Sequence, residues 1–103
     1  MTHTLILTTC PDRTSAEKLA NTLVSEGLAA CVQRFPVESI YLWQDKICND
    51  NEIVLLIKTK AELFERISAC IQENHPYELP EIIRLPITDG LPGYLRWIDD
   101  CTM

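Results

Sequence analysis

The chain has 103 residues, a formal net charge of -6 at pH 7 and a hydrophobic content of 47%. That is a single domain over residues 1–103, large enough to bury about two thirds of its unfolded surface, and its acidity, with no compensating basic stripe, excludes nucleic acid as a partner. The longest uninterrupted apolar run, Ile53 to Ile57, is far short of a membrane span and the N-terminus lacks a secretion signal, so no membrane partner and a cytoplasmic location are expected.

Taken in chain order, His3 to Thr9 reads as a short strand buried on both faces, broken by Pro11-Asp12. Thr14-Ser15-Ala16-Glu17 has the pattern of a capping box, and Ala16, Leu19, Ala20, Leu23 and Val24 follow at helical spacing until Gly27 supplies a left-handed stop. A helix is therefore expected from Thr14 to Glu26. Leu28 to Val32 and Val37 to Trp43 read as one long strand kinked at Pro36, which suits an edge or a bulge better than a central ladder. Gln44 to Asn51 is polar and turn-rich, and Glu52 to Thr59 is the strongest strand signal, so the two strands form a hairpin. Thr59-Lys60-Ala61-Glu62 repeats the capping-box pattern, and Leu63, Phe64, Ile67, Cys70 and Ile71 share one face of a second helix that ends near His75. A last strand from Glu81 to Ile87 and a short terminal helix carrying Leu91, Tyr94, Leu95 and Ile98 on one face complete the chain.

The order strand, helix, strand, strand, helix, strand is the split βαβ arrangement of an α+β, ferredoxin-like (βαββαβ) sandwich, with both main helices on one face of an antiparallel sheet and the terminal helix as an addition. The long hairpin, the open sheet edges and the aromatics Tyr41, Trp43 and Trp97 would leave apolar surface exposed on a monomer, and cyclic closure removes such edges.

The most constrained stretch is His75-Pro76-Tyr77-Glu78-Leu79-Pro80-Glu81, where each proline fixes its own φ and keeps the residue before it out of the helical region. One imidazole, one phenol and two carboxylates are thereby held in nearly fixed directions, which marks His75, Tyr77, Glu78 and Glu81 as candidate site residues. The plainer reading is a helix stop at Pro76. The cysteines Cys10, Cys31, Cys48, Cys70 and Cys101 are odd in number and lack Cys-x-x-Cys spacing, so they encode neither a disulfide framework nor a zinc ribbon and read as reduced thiols. No Ser/His/Asp order, phosphate loop or dinucleotide fingerprint is present, which points to a binding module and not an enzyme.

Leu28-Ala29-Ala30-Cys31-Val32, Ser39-Ile40-Tyr41-Leu42-Trp43, Ile57-Lys58-Thr59, His75-Pro76-Tyr77-Glu78-Leu79-Pro80-Glu81 and Tyr94-Leu95-Arg96-Trp97-Ile98 occur in the order and spacing of the CutA family, the divalent-cation tolerance proteins. The chain resembles that family from about Ile6 to Ile98. The resemblance implies a tight homotrimer with Tyr41, Trp43 and Trp97 at its interfaces, and association with copper or another divalent cation. The family positions for metal are a first-strand cysteine and a His-His pair; here they fall on Thr8 and Asn74-His75, leaving His75, with Cys10 displaced by two residues, as the matching donors. Cys31 and Cys70 stand where relatives carry cysteine. Relative to the family, the segment Gln33 to Glu38 is one residue short of the usual bulge, and Asp45 stands where relatives often have glycine.

The function expected is therefore a trimeric copper-binding protein of metal tolerance. The alternatives are a signalling trimer whose interprotomer cleft, lined by Tyr77, Glu78, Glu81 and Lys58 with Lys60 or Arg84, takes a small anionic metabolite, or a stable trimeric scaffold with incidental metal binding.

Overall fold

A computed structural model describes residues 2–103. The first strand, β1 (His3–Cys10), is followed by α1 (Arg13–Ser25), the hairpin strands β2 (Cys31–Trp43) and β3 (Lys46–Lys60), α2 (Phe64–Asn74), β4 (Ile83–Ile87) and α3 (Pro92–Cys101). The strands form a four-stranded sheet in the order β2-β3-β1-β4, antiparallel at every pairing. This is the expected split βαβ arrangement.

Register sorts the side chains. Residues directly opposite one another share a face, so the pairs Thr4/Thr59, Ile6/Ile57, Thr8/Leu55 and Cys10/Ile53 all point one way. That way lie α1 and α2, whose Ala16, Leu19, Ala20, Leu23, Ile67 and Ile71 close the core over Ile6, Leu55 and Ile57. The other face carries Leu5, Leu7, Val54, Leu56 and Lys58; α3 covers one end of it, where His3 lies 2.9 Å from the Asp99 carboxylate and the Lys60 ammonium donates to the Met103 carbonyl at 2.9 Å, and Tyr77 reaches Glu52 further along.

Several local readings are corrected. Helix α1 is capped by Asp12, which accepts the Ser15 amide at 2.8 Å, and not by a box at Thr14. A carboxylate two residues earlier wins because Pro11 has already ended the strand and the first free amides lie within its reach. The Thr59 box is likewise unused, because the Thr59 hydroxyl is fully buried and donates to the Leu28 carbonyl at 2.5 Å. A 3₁₀ turn, Ala61–Leu63, leads into α2 instead. After Gly27, in the left-handed region at φ 72°, the Leu28 and Ala29 amides donate back to the Leu23 carbonyl, so the strand begins at Cys31 and not at Leu28.

The hairpin differs most. Pairing runs without a slip from Cys31/Lys58 to Trp43/Lys46, so Pro36 opposes Ile53 without a bulge. The edge reading of Pro36 holds: β2 is the outer strand, and a proline in a non-hydrogen-bonded pair turns its nitrogen away from the ladder. The polar segment from Lys46 to Asn51 is strand, not turn, and only Gln44 and Asp45 reverse the chain, at φ 50° and 65°. Two successive left-handed residues are what a two-residue hairpin loop of matching twist requires, and Asp45 accepts that conformation as expected. The hairpin therefore projects past the helical layer and stretches the molecule to 45 × 25 × 22 Å. The last strand starts at Ile83, two residues later than expected: its ladder with β1 ends at Leu7/Ile83, and beyond that the Thr9 carbonyl is taken by His75.

Candidate functional site

The proline-framed segment folds onto the end of β1 and the middle of β3. His75 leaves α2 in extended conformation and turns its ring to the end of β1, where Nε2 donates to the Thr9 carbonyl at 2.5 Å. Its other nitrogen, Nδ1, accepts the Tyr77 amide at 3.1 Å. Since a carbonyl only accepts and an amide only donates, the imidazole is neutral with its proton on Nε2. Neither ring nitrogen is free for another partner.

Tyr77 stacks against that ring, centroids 4.8 Å apart, and its hydroxyl donates to Glu52 Oε2 at 2.9 Å. Tyr77 is therefore bonded to a different element, which a simple helix stop would not need. Burial, together with that bond and the Glu52 charge, holds the phenol well above its ordinary pKa, and burial followed by repulsion from Glu52 raises the carboxyl of Glu81. Glu52 is only 8% exposed and has no cation within salt-bridge distance among the described residues. Glu78 is exposed. On the same face of the hairpin, the Tyr41 hydroxyl donates to Asp50, and this bond raises the Tyr41 pKa to about 12.

The thiols lie apart. Cys10 points into the helical core, 1% exposed, and burial pushes its pKa up to about 11, so it is a thiol and not a thiolate at neutral pH. Cys31 sits on the opposite face of the sheet, across from Lys58. Cys70 lies on α2, where burial raises its pKa and Asn74 Nδ2 donates to its carbonyl at 2.8 Å. Among the described residues, no three His, Cys, Asp or Glu side chains converge as a metal centre. Thr8 Oγ1 is fully buried without a hydrogen-bond partner. A neutral imidazole with both nitrogens engaged, a protonated thiol and an isolated hydroxyl do not fit a copper centre within one protomer.

The cations expected in a cleft also separate. Lys58 lies on the open face against Tyr94, whereas the Lys60 ammonium is bonded to Met103. Arg84 packs over the ring of Phe64, 5.6 Å from its centroid, on the helical face. A groove of about 580 Å³ between the start of α1 and the end of α2, lined by Asp12, Lys18, Glu73, Asn74 and His75 among others, had no sequence signal, because its walls meet only once the two helices pack side by side.

A family model described as the CutA1 divalent ion tolerance protein matches residues 4–101. The chain belongs to the CutA1 family. It is 43% identical over 95% of its length to the chloroplastic protein CutA of Arabidopsis thaliana, of which it spans 54%. It thus spans little more than half the length of some curated relatives it matches. The divalent-cation tolerance protein CutA of Thermus thermophilus is 40% identical, with 95% of this chain and 96% of that one covered. Among solved structures, CutA1 from the psychrotrophic bacterium Shewanella sp. SIB1 superposes with a TM-score of 0.94 at 44% identity, covering 97% of this chain and 94% of that one. The CutA1 fold thus accounts for nearly the whole chain, and no helix among the described residues is long and apolar enough to cross a membrane.

Proposed function

We propose that this CutA1 protein is a homotrimeric, cytoplasmic module of divalent-cation tolerance that binds and does not catalyse, with copper as a weakly held ligand. The observation that carries the reading is the open face of the sheet. Phe35, Ile83, Leu85, Tyr94 and Trp97 are each 40–50% exposed there or at its rim, and the hairpin adds Tyr41 and Trp43 beyond the helices. So much apolar surface on a small acidic domain is what an obligate interface presents when its partners are taken away. Cyclic assembly covers the face and the free edge of β2 together.

Modest copper affinity follows from the donors. His75 must give up either the Thr9 carbonyl or the Tyr77 amide to reach a metal, and Cys10 must lose a proton held at about 11. Both costs subtract from binding, and the second makes affinity rise with pH. Calorimetric titration with copper(I) under reducing, anaerobic conditions tests this. Weak binding that disappears in the Cys10→Ser, His75→Ala double variant is expected; unchanged binding in that variant would place the metal elsewhere.

A further inference from the structure

On the open face of β3, two features stand eight residues apart that complement each other and cannot meet within one chain. Lys58 is half-buried beside α3, its ammonium 3.2 Å from the Tyr94 hydroxyl and 5.3 Å from the ring centroid. Tyr94 in turn lies against Trp97, centroids 5.4 Å apart. No carboxylate pairs with Lys58 among the described residues, in a chain that carries 15 acidic against 9 basic side chains. Toward the hairpin tip, exposed Asp50 holds the Tyr41 hydroxyl and likewise has no cation. Alternation along the strand puts Asp50 and Lys58 on the same face, about 26 Å apart at the usual strand rise.

We propose that Lys58, with the Tyr94 and Trp97 rings beside it, receives the Asp50 carboxylate from the hairpin of a second copy of this chain. This rests on the trimer reading and assigns its contact. An acidic, aromatic hairpin tip fits a surface that offers one unneutralised ammonium on an aromatic wall, and the complementary charges fix the register of docking. Because the two halves occupy different ends of each protomer, the contact is head-to-tail, and every copy donates one Asp50 and receives another, as ring closure requires.

Charge reversal tests the pairing, read by sedimentation across a dilution series with circular dichroism confirming that each variant is folded. Lys58→Glu and Asp50→Lys are each expected to shift the dissociation midpoint to at least tenfold higher concentration, and the double reversal to recover most of the loss. Lys58→Met, which keeps the aliphatic stem, should weaken assembly in the same direction by less. If the wild type is a trimer and the single variants assemble equally well, or if the double reversal is no better than either single, the pairing is wrong and the trimer stands. A wild type that sediments as one protomer overturns both.

Discussion

Thr8→Val should stabilise the protein, although it removes a polar group from a position fully enclosed by the fold. Thr4, Thr8 and Thr59 are all 0% exposed on the helix-facing side of the sheet. The Thr4 hydroxyl donates to the Leu85 carbonyl at 2.9 Å and that of Thr59 to the Leu28 carbonyl at 2.5 Å, while Thr8 Oγ1 has no partner. An unmade hydrogen bond on a buried hydroxyl costs about 1–3 kcal/mol. Valine has nearly the same shape and replaces that cost with a buried methyl, worth up to about 0.8 kcal/mol. A net gain of about 1–3 kcal/mol is expected, and each kcal/mol raises Tm by about 4–8 °C in a domain of this size. The same substitution at Thr59 or Thr4 should have the opposite sign, because it strands a carbonyl, at about 1 kcal/mol or more. Differential scanning calorimetry at one fixed protein concentration reads all three variants, since assembly makes Tm depend on concentration. If Thr8→Val lowers Tm as Thr59→Val does, the hydroxyl is satisfied and the reasoning fails.

Tyr77→Phe removes the only side-chain hydrogen bond on Glu52 among the described residues and leaves that enclosed carboxylate without a side-chain donor among them; a loss of about 1–3 kcal/mol, seen as a lower urea midpoint at unchanged m, is expected. Glu81 is exposed, but partial desolvation and then the Glu52 charge raise its pKa, so a small contribution to stability is present below the ordinary carboxylate pKa and lost as pH rises through the higher folded value. Glu81→Gln should therefore be more stable than wild type at neutral pH and equal to it at about pH 3, below the usual carboxylate range; equal stability at both pH values would contradict the shift.

The element order was legible because hydrophobic period separates strand from helix in this chain, and the β3 run from Ile53 to Ile57 and the α2 stripe of Leu63, Ile67 and Ile71 are strong examples. Boundaries were less so. Lys46 to Asn51 is mostly polar, and its Ile47 is exposed because the hairpin leaves the core there, so composition suggests a turn while cross-strand pairing with β2 makes it a strand. The two capping boxes failed for different reasons: Asp12, a local competitor two residues earlier, reached the α1 amides first, whereas the fold buried Thr59 against the Leu28 carbonyl. In the site, the prolines did announce a rigid segment. That Tyr77 would find Glu52, and that His75 would spend both nitrogens locally, depends on β3 lying beside the segment, which no spacing encodes. Strand parity puts Cys31 on the far side of the sheet from Cys10 and Cys70, and only the register decides parity.

Sedimentation equilibrium of the purified protein at micromolar concentration tests the trimer that the whole account requires. A mass three times the 11.8 kDa of one chain is predicted, persisting on dilution because Ile83, Leu85, Tyr94 and Trp97 stay exposed within one chain. A mass of one protomer, with Trp43 and Trp97 fluorescence already characteristic of buried indoles, would contradict it.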